Sequence, residues 1–219
     1  MTRVPGIAAS AIVAMALLSG CATPPPAAES EGVPGASDSQ GEPSRIVVSA
    51  DSIEVLGDDG GALATFDYRQ PTDEVVEGLG EFLGEPVESR THWHSDSLNA
   101  TLHNWLGFQL FDTDAVEEGP YSPNHHIITI VGEVRGIAIE TPDGISVGDP
   151  LDEIDLASTE WEDIPSKAGG GQRTIRVDPV ALPAAEGIGD NPTLTVLVNA
   201  DIDANAVDRI SAPIPNYAD

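Results

Sequence analysis

The chain has 219 residues, with nine lysines and arginines against 37 aspartates and glutamates, and its formal net charge is −28. Binding to nucleic-acid phosphates requires basic patches, so this composition argues against nucleic acid as a partner. An acidic shell that keeps an exported domain soluble is the simplest explanation of the charge. Binding of divalent or organic cations is the alternative.

The first twenty residues have the pattern of an export signal. Arg3 supplies a positive charge, residues 4–18 are almost wholly apolar, and two small residues precede Cys21. The apolar run of about 15 residues is shorter than the roughly 20 that a membrane-spanning helix needs. The sequence therefore predicts a signal peptide over residues 1–20 that is removed on export.

Leu18-Ser19-Gly20-Cys21 resembles the lipobox of bacterial lipoproteins, and a chain whose basic residues other than Lys167 are arginines is typical of actinobacteria. The resemblance implies transfer of a diacylglyceryl group to the Cys21 sulfur, cleavage before Cys21, and attachment to the outer face of the cell membrane. Two acyl chains suffice for stable anchoring. A structural cysteine is the alternative, but Cys21 is the only cysteine and no internal disulfide can form.

The segment that follows Cys21 has the composition of a tether. Residues 22–44 contain a run from Pro24 to Pro26 among alanine, serine, glycine and acidic residues. Such a segment has little apolar surface to bury, so we expect it to be disordered, with a reach of about 25 to 30 Å. The extracytoplasmic domain is then expected to span residues 45–219.

The first half of this domain has the pattern of a hairpin followed by a helix. Apolar residues at 46–56 and 62–68 flank a glycine- and aspartate-rich turn at 57–61. Thr72 is placed to cap a helix that ends at Gly84. Its apolar side is formed by Val75, Val76, Leu79, Phe82 and Leu83.

Further strands are predicted over residues 87–94, 101–111 and 126–140, the last one bent at Gly132. The strand over 101–111 is expected to place four apolar side chains on one face, and these are Leu102, Leu106, Phe108 and Leu110.

The second half of the domain repeats this order in outline. Asp149 as cap and Pro150 in the first turn predict a second helix, and strands are expected over residues 173–177, 193–200 and 207–211. The expected fold class is α+β, with antiparallel sheets and one short helix per half. A tandem repeat of about 80 residues, with halves at 45–125 and 126–215, fits this pattern, and two unrelated acidic helix starts are the alternative.

The run Gly148-Asp149-Pro150-Leu151-Asp152-Glu153-Ile154, and Glu85-Pro86 after Gly84, resemble tandem modules of β-lactamase-inhibitor proteins and small outer-membrane assembly lipoproteins. The resemblance implies a scaffold or protein-binding role. The sequence departs from the pattern because the first copy lacks the entry glycine and the second lacks the closing Gly-x-Pro.

Residues 144–148 match the G-x-S-x-G pattern of a serine nucleophile at Ser146. That elbow requires a helix immediately after the serine and a histidine later in the chain. Every histidine precedes Ser146, so a turn rich in glycine is the favoured interpretation. A separate acidic run, Asp201, Asp203 and Asn205, begins like a calcium loop, but Ala206 replaces the required glycine.

All five histidines fall between residues 92 and 126, at positions 92, 94, 103, 125 and 126. His92 and His94 share one face of a predicted strand, and an antiparallel neighbour is expected to bring His103 opposite them. An acid, Asp96 or Asp112, would complete the four ligands of a zinc site. Exposed strand histidines without a metal are the alternative.

Three tryptophans offer a further surface. Trp93, Trp105 and Trp161 are placed to line a glycan-binding face, although a core of this size uses as many.

The sequence as a whole predicts a membrane-anchored extracytoplasmic lipoprotein that acts as a non-catalytic binding module. Its expected partners are the membrane, through lipid on Cys21, and a protein of the cell envelope, with no resident cofactor. A metal-handling lipoprotein that uses the histidine cluster between His92 and His126, with His92, His94 and His103 as zinc ligands, is one alternative. An envelope hydrolase that uses Ser146 is the other.

Overall fold

The computed structural model of the chain describes residues 41–92, 99–113, 122–154, 161–165, 171–183 and 191–216. Cys21, the signal peptide and most of the tether lie outside this part of the chain. Within it, two mainly antiparallel sheets and a single α-helix form the domain. The predicted α+β class is confirmed in this coarse form, with far more strand than helix.

The first sheet has five strands, which are β1 (Pro43–Val48), β2 (Ser52–Gly57), β3 (Ala62–Asp67), β8 (Glu133–Val134) and β9 (Ile137–Glu140). Their order across the sheet is β3-β2-β1-β9-β8, and the β1–β9 pair is parallel. The hairpin predicted around residues 57–61 is the β2–β3 pair, in which Ile53 lies opposite Phe66.

The second sheet has eight antiparallel strands, which are β4 (Val87–His92), β5 (Asn99–Trp105), β6 (Phe108–Thr113), β7 (His125–Thr129), β10 (Glu162–Pro165), β11 (Gly171–Ala181), β12 (Thr193–Asp201) and β13 (Ala206–Asn216). Their order is β10-β11-β12-β13-β7-β6-β5-β4. One apolar core contains buried side chains from both sheets and from the helix, among them Ile46, Ile53, Leu79, Leu110 and Val198.

The helix α1 (Thr72–Leu83) forms where the apolar spacing predicts it. Val75, Leu79 and Leu83 recur every fourth residue and are buried, and Gly84 ends the helix with φ 75° and an N–H that donates to the Gly80 carbonyl at 2.8 Å. The predicted cap is wrong, because Pro71 holds the cap position. The Thr72 hydroxyl instead donates to the Asp112 carboxylate at 3.2 Å.

Two predicted strands are each a pair of strands. The segment 46–56 breaks at Ser49–Asp51, where the Ser49 N–H donates to the Ser52 carbonyl at 2.9 Å. The segment 101–111 turns back at Leu106 and Gly107, so Leu106 is exposed while Phe108 and Leu110 are buried. The stretch from 126 to 140, expected as one bent strand, contains β7, β8 and β9.

The helix predicted after Asp149 is wrong. Residues Leu151–Glu153 form a single 3-10 turn, and Pro150 precedes it in an extended conformation. The cause is tertiary: the Gly148 N–H donates to the Val207 carbonyl at 2.9 Å and the Val207 N–H donates to Asp149 at 3.0 Å. These bonds hold the segment beside β13, and the tandem repeat is not confirmed.

Candidate functional site

Two of the histidines expected to bind zinc, His92 and His103, are among the described residues, and they do not lie opposite each other. On β4 and β5, His103 lies opposite Glu88, whereas His92 lies opposite Asn99. His103 Nδ1 is 3.4 Å from Glu88 Oε1, but the two atoms do not have the geometry of a hydrogen bond. In the described residues no group of three histidine, cysteine, aspartate or glutamate side chains is placed to hold a metal ion.

Two of the proposed zinc ligands fall outside the described residues, namely His94 and Asp96. Asp112, the alternative acid, lies opposite Thr101 and His125 and accepts the hydroxyl of Thr72. The zinc site therefore stays a prediction from the sequence.

Ser146 occupies a turn rather than a catalytic elbow in this geometry. Its hydroxyl donates to the Ile139 carbonyl at 2.5 Å, and its backbone N–H donates to the Asp149 carboxylate at 2.7 Å. Gly144 and Gly148 flank it with φ values of 79° and 100°. These contacts show that the residues of the motif form the turn that connects β9 to the 3-10 turn.

The acidic residues between β12 and β13 make hydrogen bonds within the turn that joins these strands. The Asp201 carboxylate accepts the backbone N–H groups of Asp203 at 2.8 Å and Ala204 at 3.0 Å, and the Asn205 amide donates to Asp152. The oxygens that a calcium ion would need are in part committed to the hairpin turn.

The two tryptophans among the described residues do not form one exposed surface. Trp105 is buried and its indole N–H donates to the Gly84 carbonyl at 2.6 Å, which fixes the end of α1 against β5. Trp161 is partly buried against the core. Trp93 lies outside the described residues.

A cleft of about 230 Å³ lies where the ends of the two sheets meet. One side comes from the turn after β1 and the end of β3, and its residues are Asp51, Asp67, Tyr68 and Arg69. The other side comes from β11, β12 and β13, and its residues are Val180, Ala181, Leu182, Pro183, Leu194 and Pro213. Pro123 also lines the cleft, from the loop before β7, where Asn124 bonds to the Tyr68 and Arg69 carbonyls. The first side is charged and aromatic, and the second is wholly apolar.

A bulge in β11 sets the position of the apolar side. The register of β11 against β12 shifts between Val177 and Val180, and Asp178 in the bulge has φ 52°. Its carboxylate accepts the Ala50 backbone N–H at 2.7 Å, across from one sheet to the other. Pro179, which has no N–H, suits a bulge because no ladder hydrogen bond is lost there.

Tyr68 forms the inner wall on the charged side. Its ring is buried, and its hydroxyl donates to the Ser49 carbonyl at 3.1 Å. Burial raises the pKa of the Tyr68 phenol, and the negative charges of Asp51 and Asp178 raise it further. Tyr68 therefore stays neutral and serves as a fixed aromatic surface.

His125 packs behind Tyr68. The two ring centroids are 5.6 Å apart at an interplanar angle of 51°. His125 is fully buried, and neither ring nitrogen has a hydrogen-bond partner within the described part of the chain. Burial, and to a lesser extent the charge of His126, lower the pKa of the His125 imidazole to about 4, while Asp67 acts in the opposite direction.

The sequence did not identify Tyr68 as part of a site, and it placed His125 in the histidine cluster without placing it beside Tyr68. The alternation of His125, Ile127 and Thr129 along β7 was the available signal that His125 faces inward. Nothing local indicates that Tyr68, thirteen residues beyond Val55, meets β7.

Comparison with protein families, with curated proteins and with solved structures gives no match. The likeness to β-lactamase-inhibitor modules and to lipoproteins therefore rests on the residues named above. In the ranges that the structure describes, no helix has the length and apolar character required to cross a membrane.

Proposed function

We propose that this chain is a lipid-anchored extracytoplasmic binding protein whose ligand occupies the cleft between Tyr68 and Leu194. Anchoring would occur through Cys21, as its lipobox-like setting implies. The observation that carries the binding proposal is a single cavity lined by charged and aromatic residues of the β1 turn and the β3 end and by apolar residues of β11, β12 and β13.

The lining favours a small and largely apolar molecule with one polar end. Ligand sites of this type are concave, lined mainly by apolar and aromatic side chains, and carry a few polar groups that fix orientation. Leu182 and Leu194 would contact the apolar part. The polar end would meet the exposed charges of Asp67 and Arg69 at the mouth.

Hydrogen bonds of Tyr68 and Asp178 hold the cleft in a fixed shape before a ligand binds. The Tyr68 hydroxyl is already bonded within the protein, and Asp178 joins the two sheets beside the cavity. A rigid site loses little conformational freedom on binding, which favours affinity.

Fluorescence of the neutral apolar probe N-phenyl-1-naphthylamine tests this proposal with soluble protein in which Cys21 is replaced by alanine. We expect saturable enhancement that Leu182→Asn reduces about tenfold in affinity, because an amide replaces part of the apolar wall. Leu102→Asn, at a partly buried leucine of β5, is the matched control and should bind as the parent does. Equal binding by the two variants would place the probe elsewhere and contradict the proposal.

A further inference from the structure

Three exposed apolar side chains lie at one corner of the eight-stranded sheet. In the described ranges four large apolar side chains are exposed, and three of them are Val87 (72%), Leu106 (74%) and Ile130 (48%). The Ile130 N–H donates to the Gly107 carbonyl at 3.1 Å, and Val87 lies opposite Asn104, two residues before Leu106. We call Val87, Leu106 and Ile130 the corner patch.

Leu106 has a backbone conformation that disfavours leucine. Trp105 pairs with Phe108, so Leu106 and Gly107 form a two-residue hairpin loop with φ values of 56° and 117°. Loops with positive φ at both positions favour asparagine, aspartate or glycine, because the Cβ of other residues crowds the backbone. A Cβ on Gly107 would lie 2.7 Å from Val131 Cγ1, so this position requires glycine.

Leucine at position 106 therefore combines backbone strain with an apolar side chain in solvent. Neither property stabilises the domain, and a strained residue that the fold does not require indicates a functional use. Contact with another molecule explains both properties, because binding would bury the Leu106 side chain that the turn holds in solvent.

The corner patch adjoins β4, which has a neighbouring strand on one side only among the described residues. β4 is the last strand of its sheet among the described residues, and its residues Val87, Glu88 and Ser89 are exposed. An open edge offers backbone N–H and C=O groups to an added strand, while side-chain contacts select which strand is accepted.

The surroundings of the corner patch are acidic. Glu85, Glu88 and Glu133 are exposed beside it, against two neighbouring bases, Arg90 on β4, which already interacts within the protein, and Arg135, whose guanidinium lies close to Gly84. A second copy of the chain would bring the same acidic rim and a net charge of −28, which opposes self-association. A partner that carries positive charge is complementary.

We propose that the corner patch binds an extended segment of a partner protein in which apolar side chains alternate with lysine or arginine. The segment pairs with β4, its apolar side chains cover Val87 and Leu106, and its basic side chains approach Glu88. This surface lies on strands other than those that line the cleft, so the proposal stands independently of the proposed ligand.

A labelled peptide of alternating leucine and lysine is the probe, titrated by fluorescence anisotropy with the full-length chain in lauryl maltoside. Leu106→Asn should weaken binding at least about tenfold, as loss of a central apolar contact does, without lowering the melting temperature. Glu88→Gln should weaken binding and reduce its dependence on salt. Ile202→Asn changes the fourth exposed apolar residue, at the β12–β13 turn and outside the corner patch, and should bind as the wild type does.

The alternative outcomes are distinct. If Leu106→Asn binds the peptide as tightly as the wild type, the association is a general effect of the acidic surface and the proposal is overturned. An equal loss of peptide affinity in Ile202→Asn also overturns the proposal. If Leu106→Asn instead lowers the molar mass measured by light scattering, the corner patch joins two copies of the chain and not a basic segment.

Discussion

The carboxylate of Asp178 accepts the backbone N–H of Ala50 at 2.7 Å, and this bond joins the bulge of β11 to the turn between β1 and β2. It lies beside Tyr68, whose pKa the charge of Asp178 helps to raise. The bond therefore links the two sheets at the point where the cleft forms.

Asp178→Ala is expected to destabilise the domain by about 1 to 3 kcal/mol, because the Ala50 N–H loses a charged acceptor and alanine tolerates positive φ poorly. Asp178→Gly removes the same acceptor but relieves the backbone, so it should cost less than alanine. Urea unfolding measures both variants. Unfolding midpoints equal to that of the wild type would show that the bond contributes no stability.

His125 predicts a pH dependence of stability. Its pKa in the folded protein is about 4, against an ordinary value of 6.5, so the unfolded chain binds the proton more readily. The resulting stability is fully present above about pH 6.5 and is lost as pH falls toward 4, a change of about 3 kcal/mol. Unfolding free energies measured between pH 7 and pH 4 should show this decline.

His125→Leu supplies the control for this titration. Because neither ring nitrogen of His125 has a partner in the described residues, an apolar side chain of similar volume should be neutral or stabilising at pH 7. The decline below pH 6.5 should become shallower. A variant with the full wild-type pH dependence would assign the titration to other groups.

Tyr68→Phe removes one hydrogen bond and keeps the aromatic wall. The Ser49 carbonyl loses its donor, which should cost about 1 kcal/mol in unfolding free energy. The affinity for N-phenyl-1-naphthylamine should stay within about twofold of the parent value, since the ring face persists. A large loss of affinity would mean that the hydroxyl itself contacts the ligand.

Leu106→Gly should stabilise the domain by about 1 kcal/mol, because glycine accepts positive φ without strain. Gly107→Ala should destabilise it by more than about 2 kcal/mol, since the new Cβ meets Val131. Thermal unfolding of the two variants measures opposite shifts. Shifts of the same sign would contradict the account of this turn.

Cys21→Ala should abolish incorporation of a fatty-acid analogue, because the sulfur is the expected acylation site. Variant protein that has lost its signal peptide should also leave the membrane fraction that contains the wild type. Persistent labelling of the variant would contradict lipid anchoring without bearing on the cleft.

Local signals in the sequence were sufficient for some elements and insufficient for others. Helix α1 was predictable because Val75, Leu79 and Gly84 define its face and its end within one segment. The Leu106–Gly107 turn was missed because leucine is not a turn residue, and Phe108 continued the apolar pattern.

The prediction of a second helix was wrong for a different reason. Asp149 and Pro150 have the local chemistry of a helix start, but hydrogen bonds to Asn205 and Val207 hold the segment in another conformation. The cleft was not predictable either, since Asp51, Tyr68 and Leu194 come together only when the two sheets assemble.

The proposed function is tested most directly by identifying what the protein carries from its own cell envelope. Wild-type protein and Leu182→Asn, isolated in parallel, would be extracted and compared by mass spectrometry. The account predicts a small, largely apolar compound with a polar end that is enriched on the wild type and depleted on the variant. The same compounds at the same abundance on both proteins, or none on either, would contradict a ligand site in this cleft.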